Sequence, residues 1–184
     1  MRVPARHPSG YSHPGMRVPT RITWQHRGVN HVVAPTGIAP PAANYAHAVL
    51  TESASRWLHT SGVVPTKADG TVPETIEEQA TVVWANLLAI LTEAGMQSAD
   101  VVSVTTYVVA DQLSSLGAVM AARDAALNGQ QVASTLVTVP ALARPEWKME
   151  IALIAASPDM DTEGEFHRRA KSLGLLTNAP SPPA

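Results

Sequence analysis

Cysteine is absent from this 184-residue sequence, aromatic side chains make up only 4 % of it and charged ones 15 %. Without cysteine there is no disulfide, no thiolate nucleophile and no cysteine-ligated zinc, and a reducing compartment, the cytoplasm, is the expected home. Nowhere does the chain approach the ~18 uninterrupted apolar residues that a membrane-spanning helix needs, so no membrane partner is expected. The N-terminal segment is rich in Arg but broken by Pro4, Pro8 and Pro14 and has no apolar core, which argues against a signal peptide or amphipathic transit helix. A phosphate loop, a dinucleotide fingerprint and a Gly-x-Ser-x-Gly elbow are also missing, and with them most motif-bearing enzyme classes. Seven histidines are present, but outside the weak pairs His26/His31 and His47/His59 none has a spacing suited to a shared metal. Neither a metal nor a cofactor is expected.

What remains is a chain with 45 % hydrophobic residues, long enough for one domain with a sizeable core. Its charge is unevenly placed. Residues 1–51 carry five arginines and no acid, residues 52–156 carry eleven acids against five bases, and residues 157–184 carry four acids against three bases. Seven of the fifteen prolines precede residue 42 and four follow residue 156. These skews suggest an extension over 1–33, a folded domain over 34–156 and a tail over 157–184. The tetrapeptide Met-Arg-Val-Pro occurs at 1–4 and again at 16–19, so Met16 is an alternative start. The arginine-bearing arm favours nucleic acid, but the acidic body opposes a polyanion, and nucleic acid is not the expected partner.

Within the body, residues 45–50 and 56–61 read as two short strands joined as a hairpin, followed by a loop from Gly62 to Gly70. Thr75-Ile76-Glu77-Glu78 fits a capping box, and Ile76, Ala80, Val83, Leu87, Ile90 and Ala94 then recur at helical spacing up to the stop at Gly95. Residues 101–109 are dense in β-branched side chains and predict a buried strand. A second helix follows from about Leu113 to Leu127, with Asn128-Gly129 as its stop, and then strands over 133–139 and 148–156. The order implies an α+β fold, one mixed sheet with two helices on one face, with parallel pairs across the helical crossovers and hairpin-type pairs flanking them. A short helix is expected in the tail, where Thr162 to Glu165 fits a capping box before Phe166 to Leu176.

Both faces of the last strands are apolar. Leu136, Met149, Ile151 and Leu153 alternate with Val137, Val139, Ala152 and Ile154, yet only one face can lie beneath the helices. The other predicts an interface between copies of the chain.

Glu150 falls on that second face with Ala152 and Ile154. A carboxylate among apolar neighbours is costly unless paired or solvated, and it is the natural candidate for general acid-base work, the alternative being a solvated strand-end residue or an interfacial salt bridge. Tyr45 and His47 share one face of the first strand, where core packing and a surface role are the alternatives. The Ser61-Gly62 step offers a hydroxyl and free amides to an anion or carbonyl, or is merely a turn.

Taken together, Asn44-Tyr45-Ala46-His47-Ala48-Val49, Ser61-Gly62-Val63-Val64-Pro65, Ile76-Glu77-Glu78-Gln79 with Asn86-Leu87 and Ala94-Gly95, Asp100 to Thr105 with Tyr107, and Met149-Glu150-Ile151 through Ala155 resemble the YjgF/RidA (L-PSP endoribonuclease-like) family over about residues 34–156. The resemblance implies a chorismate-mutase-like fold, a homotrimer with clefts between subunits, and cofactor-free hydrolysis of reactive enamines and imines. It also implies that Glu150 handles the water, with Tyr45, Ser61 and Gly62 lining the pocket. The family's substrate-carboxylate arginine corresponds to Ala133 in Gln131-Val132-Ala133-Ser134-Thr135, a helix asparagine to Met120, and a glutamine to Val63. Ala133, Met120 and Val63 are therefore the departures, Ala133, Ser134 and Met120 are expected to face the substrate, and Arg56, Arg144 or Lys148 are the candidates to supply a cation instead. The expectation is an imine or enamine deaminase acting on a small molecule other than the usual carboxylated one. The alternatives are a non-catalytic trimeric small-molecule binder or pathway-specific enzyme, and an RNA-cleaving relative.

Overall fold

The computed structural model describes residues 29–158. The arginine-bearing segment before residue 29, the alternative start at Met16 and the expected tail helix lie outside the described residues.

Helix α1 (Ile76–Glu93) begins where the capping box predicts. Thr75 Oγ1 accepts from the Glu78 amide at 3.3 Å, and the Glu78 carboxylate accepts in return from the Thr75 amide at 3.4 Å. Its end is a Schellman motif: Met96 N–H donates to the Leu91 carbonyl and Gly95 N–H to Thr92, with Gly95 at φ +64°. Helix α2 (Leu116–Ala126) ends the same way, with Asn128 in the left-handed position and Gly129 N–H donating to Asp124. Residues 113–115, expected to open this helix, belong instead to a 3-10 segment, Ala110–Ser115, that leads the chain out of β4.

The main sheet has four strands in the order β3 (Arg56–His59), β6 (Met149–Ser157), β4 (Val101–Val109), β5 (Ala133–Val139). β4 and β5 are parallel across α2, while β6 runs antiparallel to both β3 and β4. The helices bury Ile76, Val83, Leu87, Leu91 and Val119 against Val104 and Val108 of β4 and Met149, Ile151 and Leu153 of β6. The architecture is α+β, two helices on one face of a mixed sheet.

The predicted hairpin between residues 45–50 and 56–61 does not form. β2 (Ala48–Thr51) pairs with β1 (Asn30–Val33) in a separate two-stranded sheet, and β3 pairs with β6. The turn at Ser53, with φ +57°, sends the chain from one sheet to the other. The flanking hairpin-type pair expected between the last two strands is also replaced, since β6 inserts between β3 and β4. A strand whose Met149, Ile151, Leu153 and Ala155 are all buried gains most at the sheet centre, with a ladder on each side. β1 lies within the segment 1–33 that composition assigns to the extension.

The second face of the sheet is open. Val137 is exposed, and Thr105, Tyr107, Ala152, Ile154 and Val139 are half-buried on it, opposite the side covered by helices. None of the helices among the described residues is long and apolar enough to cross a membrane.

Candidate functional site

Strand β3 and its continuation slip register beside β6. His59 pairs with Ile154 and Val63 bridges to Ile151, so three residues, Thr60 to Gly62, span the distance that Leu153 and Ala152 cover. Ser61 and Gly62 together oppose Ala152 as a β-bulge, a device that re-aims side chains next to functional sites. Glu150 takes advantage of it. The carboxylate lies over Gly62 so closely that a Cβ there would collide with Oε1, Cδ and Cγ of Glu150. Only glycine leaves room for this approach. The Ser61 hydroxyl is exposed and makes only a long 3.4 Å contact, to the Gly62 carbonyl, so its donor and acceptor capacity remains for a ligand.

Gln79 fixes the start of β6 and with it Glu150. Its fully buried amide donates to the carbonyls of Pro73 and Glu146, both at 2.8 Å, and its oxygen accepts from the Lys148 amide at 2.8 Å. One side chain thus ties the first turn of α1 to both ends of the segment preceding Glu150, and all of its buried polar capacity but one lone pair is used. Tyr107 stands opposite Glu150 in the β4–β6 register, half-buried.

A second group gathers at the start of β5. Ala46 forms a parallel bridge with Ala133, its amide donating to the Val132 carbonyl at 2.9 Å, which sets Tyr45 beside that strand end. The Tyr45 and His47 rings meet edge to face at 5.8 Å. Beneath them Arg123 of α2, 3 % exposed, locks the arrangement. Its guanidinium donates to the Asn44 carbonyl at 2.7 Å, to Ser134 Oγ at 3.2 Å and to Asp124 Oδ1 from both Nη2 (2.7 Å) and Nε (3.0 Å).

The expected site residues therefore fall into three sets. Glu150, Ser61 and Gly62 come together. Tyr45 and Ala133 come together with Gln131 nearby. Ser134 and Met120 belong to the helix-covered side: Ser134 is bound to Arg123, and Met120 packs against the core. Ala133 pairs with Ser103 of β4 and Glu150 with Tyr107, so the first two sets stand four residues apart along β4, about 13 Å at ~3.3 Å per residue. A single chain does not bring them into one cleft.

The alternative cations are directed elsewhere. Arg56 donates to the Ala94 and Gly95 carbonyls at the end of α1, Lys148 to the Glu74 carbonyl, and Arg144 lies over the Trp147 ring at 5.3 Å and 3.7 Å from the Glu146 carboxylate. Among the described residues, no three His, Asp or Glu side chains cluster as a metal site would require. Residue-type patterns single out neither Gln79, a polar residue on the buried face of α1, nor Arg123. The signal for Gln79 is its place in the Ile76-Glu77-Glu78-Gln79 run, one turn from Ile76 on the apolar face.

Two helices on a mixed sheet, with a carboxylate seated on a bulged glycine at the rim of an open apolar face, define a class of small α+β proteins, and the candidate site here lies at strand ends. The chain belongs to the Endoribonuclease L-PSP family, whose model matches residues 36–157. A Yersinia pestis protein of unknown function from the conserved Rid family is 33 % identical with a TM-score of 0.65, over 70 % of this chain and 98 % of that one. A candidate endoribonuclease from Thermotoga maritima is 29 % identical at TM-score 0.51, over 67 % and 91 % of the two chains. A candidate endoribonuclease L-PSP from Entamoeba histolytica is 25 % identical at TM-score 0.51, over 69 % and 98 %. No curated protein matches the sequence.

Proposed function

We propose that this protein is a homotrimeric hydrolase of reactive small-molecule imines and enamines whose carbonyl product carries no neighbouring carboxylate. The observation that carries the reading is the seating of the Glu150 carboxylate on the bulged Gly62, next to the exposed Ser61 hydroxyl. In this reaction water adds to the carbon of a protonated C=N bond while Glu150 accepts one of its protons. The proton then passes from Glu150 to the carbinolamine nitrogen, the C–N bond breaks as Glu150 accepts the hydroxyl proton, and the carbonyl product and ammonia form, the ammonia taking up that proton to leave as ammonium. Ser61 and the Gly62 amide hold the oxygen that develops on carbon.

The homotrimer is supported by the open sheet face and by the ~13 Å offset along β4 between the Ala133 and Glu150 groups, which lie on opposite sides of that strand. Two adjacent copies supply one cleft, Glu150 from one and Tyr45 with Ala133 from the other. The neutral substrate is supported by Ala133 and by the engagement of Arg56, Arg144 and Lys148 with other partners. Ala133 equally favours a second reading, a trimeric binder of neutral small molecules without turnover. RNA cleavage, the activity for which relatives are described, is opposed by the excess of acids over bases in residues 52–156. Steady-state release of ammonia from a panel of neutral and carboxylated imines tests the proposal: turnover of neutral imines supports it, and none on any imine overturns it.

A further inference from the structure

A cavity of about 380 Å³ lies between the loop Ala34–Pro41, the residues Tyr45–His47 that lead into β2, and Gln131. Its volume falls in the range of sites that enclose small organic ligands. The walls are mainly apolar, with Val32, Ile38 and Pro40 among them, and the polar side chains are Thr36, Tyr45, His47 and Gln131. No Asp, Glu, Lys or Arg lines it. His47 is a strut, its Nε2–H donating to the Ala39 carbonyl at 2.8 Å while its ring meets Tyr45 edge-on. Pro35, Pro40 and Pro41 restrict the backbone of the loop, so the wall is held before a ligand arrives. Through the Ala46–Ala133 bridge the cavity adjoins the strand end where the resemblance places a substrate-binding arginine. At that junction a charged substrate would meet Thr36, Tyr45, His47, Gln131 and apolar groups, while Arg123 beneath them is buried and paired with Asp124, so a carboxylate brought there would lose its hydration without an available cation in return.

We propose that this cavity receives the uncharged, apolar body of the ligand, an aromatic or branched aliphatic group attached to the reacting carbon, with Gln131 and Tyr45 as its polar contacts. This deepens the imine hydrolase reading and rests on it for the identity of the reacting group. The probes are phenylacetone and phenylpyruvate, which differ by a carboxylate in place of a methyl group. Their binding is measured by isothermal titration to the full-length Glu150→Gln protein, where turnover does not intervene. Phenylacetone is expected to bind at least tenfold more tightly than phenylpyruvate. Ile38→Asp, at a position 53 % exposed, is expected to weaken phenylacetone at least tenfold with the circular dichroism spectrum unchanged. Gln131→Arg, at a second exposed position, is expected to turn the preference toward phenylpyruvate. Equal binding of the two probes, no binding of either, or indifference to both substitutions overturns the assignment. Imine turnover that Ile38→Asp leaves untouched overturns the cavity assignment while the hydrolase reading stands. Selective phenylacetone binding in a protein that turns over no imine supports the cavity and overturns the hydrolase.

Discussion

The carboxylate of Glu150 occupies the space that a side chain on Gly62 would need. The two residues are far apart in sequence and are brought together by a one-residue slip between β3 and β6, so the carboxylate's position is a property of the sheet register.

Gly62→Ala separates stability from activity. The atoms in the way are the far end of a flexible side chain, which can swing aside at modest cost in folding energy, but the carboxylate then leaves its seat. The melting temperature is expected to change little, while kcat on a neutral imine falls at least a hundredfold, within the ~10²–10⁴ typical of a lost acid-base group. A variant with full activity would show that the seat does not matter.

Arg123→Ala removes the lock between the Tyr45 loop and β5. Breaking a buried guanidinium that donates to Asn44, Ser134 and Asp124 is expected to cost roughly 2–4 kcal/mol in chemical denaturation. KM for a neutral imine rises as Tyr45 loses its support, and Arg123→Lys, which keeps the charge without the planar fork, recovers only part of either loss. Unchanged stability and KM would remove Arg123 from the account.

Ala133→Arg restores a cation beside Tyr45. A charge-assisted hydrogen bond contributes ~1.5–3 kcal/mol, so kcat/KM for a carboxylated imine relative to a neutral one is expected to rise at least tenfold. Competition between 2-iminopropanoate and a neutral imine measures the ratio directly. No change in the ratio would place the substrate elsewhere.

Ala152→Arg puts a charge in the middle of the open face, between Glu150 and Ile154. Light scattering is expected to show a trimer for the wild type and a monomer for the variant, with secondary structure retained and activity lost, because the proposed cleft draws on two copies. A trimer that survives the substitution would move the interface off this face.

The sequence pattern carries the locally determined parts of this fold. Thr75 and Glu78 announce the start of α1, Gly95 and Asn128-Gly129 announce helix ends, and the β-branched run 101–109 is a strand over its full length. Pairing is another matter. Residues 45–50 and 56–61 are close in the chain and look like a hairpin, but their partners, β1 and β6, are chosen by long-range burial that no local window contains. The same limit holds for the site. Alternation places Glu150 on the open face, yet the bulge that brings it over Gly62 depends on the count of residues facing Leu153 and Ala152. Ser134 and Met120, expected to face the substrate, turn to the helix side because strand alternation and helix packing point them there. Gln79 and Arg123 act by joining segments that are distant in sequence, and residue type alone does not reveal such work.

The most direct test of the central claim is ammonia release from a neutral imine generated in situ, compared between the wild type and Glu150→Gln under matched conditions. Turnover by the wild type, with a loss of at least a hundredfold in kcat for Glu150→Gln while the trimer and melting temperature persist, is the predicted result, within the ~10²–10⁴ range of general acid-base catalysis. Equal rates in the two proteins, or no rate above the uncatalysed reaction in either, would contradict it.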